Sequence, residues 1–236
     1  MRRLVLVRHG ESVWNAEARI QGQHCAGLSA TGHDQVRAAA TALAGQYPDA
    51  RLVTSDLQRC RETAAPLAAA LGRGCVEDPR LRERNFGAWE GRTRFEVERD
   101  DEERWLRWRA GEDVIAEIGG ESASALVARV KPVFVDLLAS TPSEGVTIAV
   151  THGGPIWHGI HHLLGLVPPV LGGVDNASVT EVVAWERARR DEGLPADDDG
   201  TLVVLDRWND VGHLIPGLRT GWRPREVAPA DARPST

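Results

Sequence analysis

Hydrophobic and polar positions alternate along this chain in blocks typical of strands and helices. The apolar runs in "RLVLV", "RLVTSD" and "GVTIAV" predict buried strands. Stretches with helical spacing predict helices over "LSATGHDQVRAAATALAG", ending at Gly45, over "LQRCRETAAPLAAALG", with a break or bend at Pro66, and over "ESASALVARVKPVFVDLLAST". This alternation predicts an α/β fold with a mostly parallel central sheet flanked by helices on both faces.

The last third of the sequence adds one helix and two strands. "THGGPIWHGIHHLLGL" predicts a loop that leads into a helix, and "ASVTEVVAW" and "TLVVLDRW" predict strands joined by an exposed hairpin loop, "RRDEGLPADDDG". The length favours a single domain, which we expect over residues 1–220 with a small helical cap insertion at 92–120. The proline-rich segment 221–236 predicts a flexible tail.

Composition excludes several classes of partner. The 236 residues carry a formal net charge of −6, which gives no basic surface for nucleic acid or an anionic membrane. The apolar run behind Arg2 and Arg3 is too short for a signal peptide or a membrane span. Cys25, Cys60 and Cys75 have neither metal-like spacing nor an even count for disulfides, so we expect a cytoplasmic protein. The oligomeric state stays open, with a homodimer as one candidate.

Two of the predicted strands end in side chains that are capable of chemistry. Arg8, His9 and Gly10 follow "RLVLV", and "THGG" with His152 and Gly153 ends the strand in "GVTIAV". In sheets of this kind the ligand lies at the carboxyl ends of the strands, where the strand order reverses. The sequence therefore predicts that the two histidines meet in one crevice.

These residue types match the needs of phosphate-ester cleavage through a covalent intermediate. Such a reaction requires a nucleophile, positive charge for the phosphoryl oxygens and an acid for the leaving oxygen. A neutral imidazole can be the nucleophile, and the planar fork of an arginine matches two phosphate oxygens. "TSDLQRCRET" supplies a second arginine, Arg59, and "RLRERNFGAWEG" supplies a carboxylate, Glu83. Arg82 and Arg84 flank Glu83 and favour its charged form, which opposes a role as an acid.

Together the motifs resemble the histidine phosphatase superfamily, in its phosphoglycerate-mutase-like branch. The matching stretches are "RHGES" with Asn15, "QGQ" with "LSATG", "SDLQRCRETA", "LRERNFGAWEG" and "VTHGG", in the order of the family. Weaker likeness continues through "DNASVTEV" and "LDRWND". Within the family, "RIQGQ", "PRLRE" and "NASVTEV" are most similar to the glucosyl-3-phosphoglycerate phosphatases.

This resemblance implies a role for each matching residue. His9 would be the nucleophile, and Glu83 would protonate the leaving oxygen and then activate water. The phosphate-binding residues would be Arg8, Asn15, Arg59 and His152, and the substrate-binding residues Gln21, Gly22 and Gly153. We expect no metal and no cofactor, since arginine and histidine supply the positive charge.

Other residues compete for these roles or depart from the family pattern. Glu90 is an alternative acid, although its place in the motif favours Glu83. His158 and His162 have a spacing that can bind metal, but we interpret them as surface or supporting residues. Cys25 and Gly27 stand where many relatives carry Asp and Pro, so substrate contacts of this loop are expected to differ. We interpret Arg61, close to Arg59, as part of a solvated helix face.

The acidic stretch "ERDDEERWLRW" has two interpretations. It can be a solvated helix whose Trp105 and Trp108 cover core, or a cap whose aromatic rings pack on the organic part of a substrate. Its place between the Glu83 motif and the next core helix favours the cap, and both interpretations can hold.

Three functions follow from these observations. The first is a metal-independent phosphatase that acts on a small phosphate ester, with a sugar phosphate or phosphoglycerate derivative favoured. The second is a cofactor-dependent phosphoglycerate mutase; "RERNF" resembles the mutase pattern, whereas "GAWEG" and the short interval between Glu83 and Gly120 favour the phosphatase. The third is a noncatalytic phospholigand-binding module, which a complete set of catalytic groups disfavours. The sequence therefore predicts a phosphatase.

Overall fold

A single mixed sheet forms the centre of the protein in the computed structural model, which describes residues 1–24, 26–167, 170–186 and 201–221. Its strands are β1 (Arg2–Arg8), β2 (Arg51–Thr54), β3 (Cys75–Glu77), β4 (Val146–Thr151), β5 (Val179–Glu186) and β6 (Thr201–Asp210). The strand order is β3-β2-β4-β1-β5-β6. β3, β2, β4 and β1 run parallel, and β5 pairs antiparallel with both β1 and β6. The predicted mostly parallel sheet is thus confirmed.

Helices cover both faces of this sheet, as the alternation of elements predicts. They are α1 (Val13–Ala16), α2 (Ala30–Gln46), α3 (Gln58–Leu71), α4 (Arg94–Asp100), α5 (Glu102–Arg109), α6 (Ala123–Ser140) and α7 (Gly153–Leu163). Alternate residues of β1 point to opposite faces: Leu4 and Leu6 join the core under α6 and α7, whereas Val5 and Val7 join the core under α2 and α3. Both side-chain sets are buried, which explains why the strand is an unbroken apolar run.

Local sequence determines where the long helices begin. Ser29 and Ser122 accept hydrogen bonds from backbone N–H groups in the first turns of α2 and α6, which is the role that N-cap serines have. α2 extends one residue past the predicted end at Gly45. α3 is continuous from Gln58 to Leu71, so the chain does not break at Pro66.

The segment 92–120 contains a separate aromatic cluster. The acidic stretch expected as one helix forms two, α4 and α5, which meet at Asp101, and the indole N–H of Trp89 donates to Asp101 Oδ2 at 2.8 Å. Trp105 is only 2% exposed and packs with Trp89, Val97 and neighbouring apolar residues. The expectation that this ring packs on a substrate is therefore wrong for Trp105, because it covers core as the alternative interpretation predicted.

Several predictions fall on other parts of the chain. The hairpin loop expected at 189–200, residue Cys25 and residues 222–236 of the expected tail lie outside the described residues. Among the helices that the structure describes, none has both the length and the apolar character needed to cross a membrane.

Candidate active site

The two predicted histidines lie side by side at the carboxyl ends of neighbouring strands. β1 and β4 are in register at Arg8 and Thr151, and the N–H of His9 donates to Thr151 O at 3.0 Å. The His9 and His152 rings follow directly, with their centroids 5.2 Å apart. β1 lies between β4, which runs parallel to it, and β5, which runs antiparallel to it. The two histidines therefore lie where the sheet changes from parallel to antiparallel pairing. The structure thus brings both histidines into one crevice.

His9 is held as a neutral ring with a lone pair on Nε2. Its Nδ1 lies 2.7 Å from Gly10 O, a carbonyl that can only accept, so Nδ1 carries the proton and Nε2 is unprotonated. Burial and the positive charges of Arg59 and Arg8 hold the pKa of His9 well below its usual value. Nε2 is therefore available as a nucleophile at neutral pH.

Gly10 permits the loop after His9 to pass close to α2. A Cβ atom at this position would lie 2.7 Å from Val36 Cγ1 and 2.8 Å from Gly32 O, closer than packing allows. The N–H of Gly10 donates to Thr63 Oγ1 at 3.1 Å, which fixes the loop against α3 as well. The imidazole of His9 is thereby anchored from two sides.

Arg59 connects the two histidines from the first turn of α3. Its Nε donates to His9 Nε2 and to His152 Nδ1, each at 3.2 Å. The other guanidinium nitrogens donate to the carbonyls of Gly22 and His24 at 2.8 and 2.9 Å. Arg59 is 0% exposed, so its positive charge acts in a dry environment, where electrostatic interactions are strong.

Gly22 has a conformation that only glycine accommodates well. Its φ is +52°, and an added Cβ would lie 1.8 Å from a carboxylate oxygen of Glu90. The loop that contains Gln21 and Gly22, called here the substrate-side loop because both residues are predicted to bind substrate, thus holds Arg59 through the Gly22 carbonyl. A contact of Gly22 with substrate stays a prediction.

His152 lies at the start of α7 with both ring nitrogens engaged. Nδ1 accepts from Arg59, while Nε2 lies 3.0 Å from Ser55 Oγ and 3.3 Å from Cys60 Sγ. Burial and the positive charge of Arg59 hold the pKa of His152 well below its usual value. Ser55 and Cys60 stand inside the motif that identified Arg59, but the sequence carries no signal that they contact a histidine.

Arg8 supplies a second cation, half-buried, with spare donor capacity. One terminal nitrogen donates to Val174 O at 2.5 Å, while Nε is buried and finds no acceptor among the described residues. Burial lowers the pKa of Arg8, and the negative charges of Glu83 and Asp175 oppose that shift. A Cβ at Gly153 would lie 3.6 Å from Arg8 Nε, in ordinary contact. An anion bound beside His9 can therefore receive a hydrogen bond from Arg8.

Glu83 borders the same crevice, and its carboxylate lies against the first turn of α7. Its carboxylate accepts from the N–H of Arg84 at 2.9 Å and from the N–H of Gly154 at 3.3 Å. The flanking arginines point elsewhere: Arg82 pairs with Asp56 and Arg84 with Asp113. Each flanking arginine is thus bound to another carboxylate, contrary to the expectation that both act on Glu83.

Glu90, the competing acid, has a structural role. Its side chain is only 4% exposed, and Oε1 accepts from the N–H groups of Gln23 and Phe86 at 3.0 and 2.8 Å. Oε2 pairs with the imidazole of His24. These contacts hold the substrate-side loop against the segment that contains Glu83. They engage the Glu90 carboxylate there, whereas the Glu83 carboxylate contacts the first turn of α7.

Asn15 and Gln21 belong to one hydrogen-bond network beside the nucleophile. Asn15 Oδ1 accepts from Ser12 and from Asn176 Nδ2, the latter at 3.0 Å, and no acceptor among the described residues takes the Nδ2 of Asn15. Gln21 is buried and accepts from Ser12 Oγ at 2.7 Å. The amide nitrogen of each side chain is thus the part that remains to contact a substrate.

Asn176 is a site residue that the sequence analysis missed. It is 1% exposed, and its Nδ2 lies 3.4 Å from His9 O as well as near Asn15. The only signal in the sequence is the weak family likeness of "DNASVTEV". Asn176 therefore ties the segment before β5 to the nucleophile.

The histidines of α7 do not form a metal site. His158 is half-buried, His161 is buried with Nδ1 on Trp157 O at 2.7 Å, and His162 is exposed. In the described ranges, no group of three or more His, Cys, Asp or Glu side chains could hold a metal ion. Arg61 is exposed, as expected for a solvated helix face.

Taken together, the geometry suits the binding of an anion and an attack on it. A neutral imidazole nitrogen, the buried guanidinium of Arg59, the half-buried guanidinium of Arg8 and a second imidazole surround the crevice, and a carboxylate lies at its side. Preorganised donors of this kind stabilise charge on phosphoryl oxygens.

Comparisons with known proteins agree with this geometry. The family model described as histidine phosphatase superfamily, branch 1, matches residues 4–192. A glucosyl-3-phosphoglycerate phosphatase from Mycolicibacterium vanbaalenii is 38% identical, with 89% of this chain and 95% of that protein covered. A protein from Yersinia enterocolitica, named as a probable phosphoglycerate mutase, GpmB, is 37% identical, with 71% and 77% covered.

Solved structures are similar over the same length. A mycobacterial glucosyl-3-phosphoglycerate phosphatase in complex with VO3 has a TM-score of 0.75 and 35% identity, with 89% of this chain and 99% of that chain covered. The fold described above is thus similar to that of a phosphatase whose structure was solved in complex with VO3.

Proposed function

The chain belongs to branch 1 of the histidine phosphatase superfamily and is a phosphoric monoester hydrolase, and we propose that it acts through a phosphohistidine on His9. The observation that carries this proposal is the single Arg59 Nε that donates to both His9 Nε2 and His152 Nδ1 at 3.2 Å. One bound phosphoryl group can replace these contacts and meet all three side chains at once.

In the first step, His9 Nε2 attacks phosphorus as the ester bond to the leaving oxygen breaks. Arg8, Arg59 and His152 donate to the phosphoryl oxygens, where negative charge is concentrated. Glu83, when protonated, delivers its proton to the leaving oxygen, so that an alcohol departs and the carboxylate remains. The product is an alcohol and a phosphoryl group bonded to His9.

In the second step, water attacks phosphorus and the bond to His9 breaks. The Glu83 carboxylate takes a proton from the water and is ready for the next cycle. Inorganic phosphate leaves, and His9 returns to its neutral form with the proton on Nδ1. Asn15, through its free amide nitrogen, adds a donor to the pocket.

We propose a sugar phosphate or phosphoglycerate derivative as the substrate, with glucosyl-3-phosphoglycerate as the first candidate. Support comes from relatives of that name that match nearly the whole chain. Mutase activity is the second candidate, because a probable phosphoglycerate mutase matches 71% of the chain. Gln21, Gly22 and Gly153 are proposed to contact the organic part of the substrate.

The segment 92–120 is proposed to cap this site. Support comes from the backbone bridge between Thr93 and Arg19 and from the hydrogen bond of Arg94 N to Ala18 O, which join the start of α4 to the loop after the nucleophile. We also propose a cytoplasmic location, since Cys60 and Cys75 are free thiols. A homodimer stays a prediction.

A phosphate-release screen tests this function. The purified protein is offered a panel of sugar phosphates, phosphoglycerates, nucleoside monophosphates and glucosyl-3-phosphoglycerate, with and without 2,3-bisphosphoglycerate. We expect release of inorganic phosphate without the bisphosphate, and strongest for a phosphoglycerate derivative. Interconversion of phosphoglycerates that requires the bisphosphate, with little phosphate release, would instead support the mutase.

A further inference from the structure

Two buried side chains behind His152 have no part in the reaction described above. Ser55 Oγ and Cys60 Sγ lie 3.0 and 3.3 Å from His152 Nε2, and both residues are 0% exposed. Ser55 directly follows β2, and Cys60 lies in the first turn of α3. Ser55 thus meets the ring nitrogen that Arg59 does not contact, whereas Cys60 Sγ, which is also 3.8 Å from Nδ1, lies beside the ring.

The directions of these hydrogen bonds determine the tautomer of His152. Arg59 Nε can only donate, so His152 Nδ1 must carry a lone pair. A neutral ring then has its proton on Nε2. Cys60 donates its own proton to Thr151 O at 3.4 Å, and its sulfur does not lie along the Nε2–H bond. Ser55 Oγ, which also accepts from the N–H of Leu57 at 3.3 Å, is the acceptor for Nε2–H at 3.0 Å.

We propose that Ser55 is a positioning residue that holds His152 as the Nε2–H tautomer, so that Nδ1 faces the pocket and takes a proton when a phosphoryl group binds. The proton comes from solvent and forms a bond to Nδ1. That new N–H donates to a phosphoryl oxygen, while Nε2–H stays on Ser55. This inference rests on the proposed function, because it assigns the phosphoryl group to this pocket.

The charges around His152 explain why binding and protonation are coupled. In the protein without ligand, burial and the cation of Arg59 keep the pKa of His152 low, so the ring is neutral. A phosphoryl dianion becomes the nearest charge and favours the imidazolium. The ionisable groups that act on this ring from the surrounding elements are Arg8, His9, Arg59, Cys60 and Arg129, while Glu83 contacts the first turn of the helix that follows His152.

Long-range 1H–15N NMR spectra of the histidine rings test the tautomer directly. The His152 resonances are identified by their loss in His152→Asn. At pH 8 we expect a protonated Nε2 and an unprotonated Nδ1 without ligand, and both nitrogens protonated after addition of inorganic phosphate. In Ser55→Ala only the shared Nε–H of Arg59 still favours this tautomer, so the Nδ1–H form should gain population. A Nδ1–H ring in the wild type, or no change of tautomer in Ser55→Ala, would overturn the inference.

Phosphate affinity provides the second test. Ser55→Ala should weaken inorganic phosphate binding by about tenfold, which is typical of losing a hydrogen bond to a charged group. Cys60→Ala removes a side chain that packs beside the ring without accepting Nε2–H, so it should bind phosphate nearly as the wild type does; a loss as large as that of Ser55→Ala would contradict the role of Ser55. Cys75→Ala is the matched control, a cysteine on β3 outside the site.

These measurements separate the two proposals. The tautomer is observed without turnover, so a protein with the expected tautomers that hydrolyses none of the esters would count against the proposed function alone. Conversely, an active phosphatase whose His152 tautomer does not change in Ser55→Ala would keep the proposed function and contradict this inference.

Discussion

The backbone N–H of Gly154 donates a hydrogen bond of 3.3 Å to the carboxylate of Glu83. Gly154 is in the first turn of α7, where the helix dipole favours a negative charge. A Cβ at this position would lie 2.2 Å from Glu83 Oε1, which is an impossible contact. Close approach of α7 to the candidate acid thus requires glycine at position 154.

We expect Gly154→Ala to displace Glu83 and to slow the cleavage of alkyl phosphates by about tenfold or more. The comparison is Gly153→Ala, where the added methyl would lie in ordinary contact with Arg8 at 3.6 Å, so the loss should be smaller. Steady-state rates with an alkyl phosphate check both variants. Equal losses would show that the approach to Glu83 is not the reason for the glycine.

His9→Ala should abolish turnover, by about 10³-fold or more, because no other side chain can form the covalent intermediate. Rapid quenching of the wild type with substrate should trap acid-labile phosphate on the protein, and the variant should trap none. His33→Ala, which removes an exposed histidine on α2, is the control and should retain activity. Wild-type rates in His9→Ala would exclude the proposed nucleophile.

Glu83→Gln should slow alkyl phosphates by about 10²-fold and p-nitrophenyl phosphate much less in the first step, since p-nitrophenolate leaves without a proton. Single-turnover phosphorylation of His9 is the measurement. Glu90→Gln is the matched control: it should disturb the loop that Glu90 holds, but both esters should be affected alike. If Glu83→Gln slows the two esters equally, Glu83 is not the acid.

Chelation should leave the activity intact. The positive charge in the pocket comes from Arg8, Arg59 and His152, and the described residues contain no cluster suited to a metal. Rates are compared before and after prolonged treatment with a strong chelator. A large loss that added metal restores would revive a metal site at His158 and His162.

His158 should make stability depend on pH. Burial lowers the pKa of His158 to about 4, so between pH 6.5 and 4 the unfolded chain binds a proton that the folded protein does not. Stability contributed by the neutral ring is therefore present at pH 7 and is lost as the pH falls through this window. From pH 7 to pH 5 the expected loss is about 2 kcal/mol.

Urea unfolding of His158→Gln at the two pH values measures this contribution. The variant should lose less stability than the wild type between pH 7 and pH 5. His162→Gln, which changes an exposed histidine one turn later on the same helix, is the control and should follow the wild type. A His158→Gln variant that also follows the wild type would contradict the assignment.

The sequence predicted the parts of the site that follow strand ends. His9 and His152 each come directly after an apolar run, and parallel strands bring such positions to the same edge. Arg59 could be predicted from the sequence for a similar reason, since it lies in the first turn of the helix after β2. Family motifs then supplied Asn15 and Glu83, whose residue types alone are too common to stand out.

Contacts between distant segments could not be predicted from the sequence. Ser55 touches His152 only because β2 and β4 are neighbours, and Asn176 reaches His9 from the segment before β5. The environment of Glu83 was misjudged because proximity in sequence was taken as proximity of charges, although Arg82 and Arg84 turn to other carboxylates. Side-chain direction in an irregular segment depends on tertiary partners that one sequence does not show.

Because β1 lies between β4 and β5, the protein can be active only after these distant parts of the chain have assembled into one sheet. The segment with His9 is seated between two strands that come much later in the chain, so its neighbours exist only after long loops have closed. A partly folded chain could contain the helices α2 and α3 and still lack a pocket for phosphate. Recovery of turnover after dilution from denaturant would thus follow the last stage of sheet assembly, later than the recovery of helical signal.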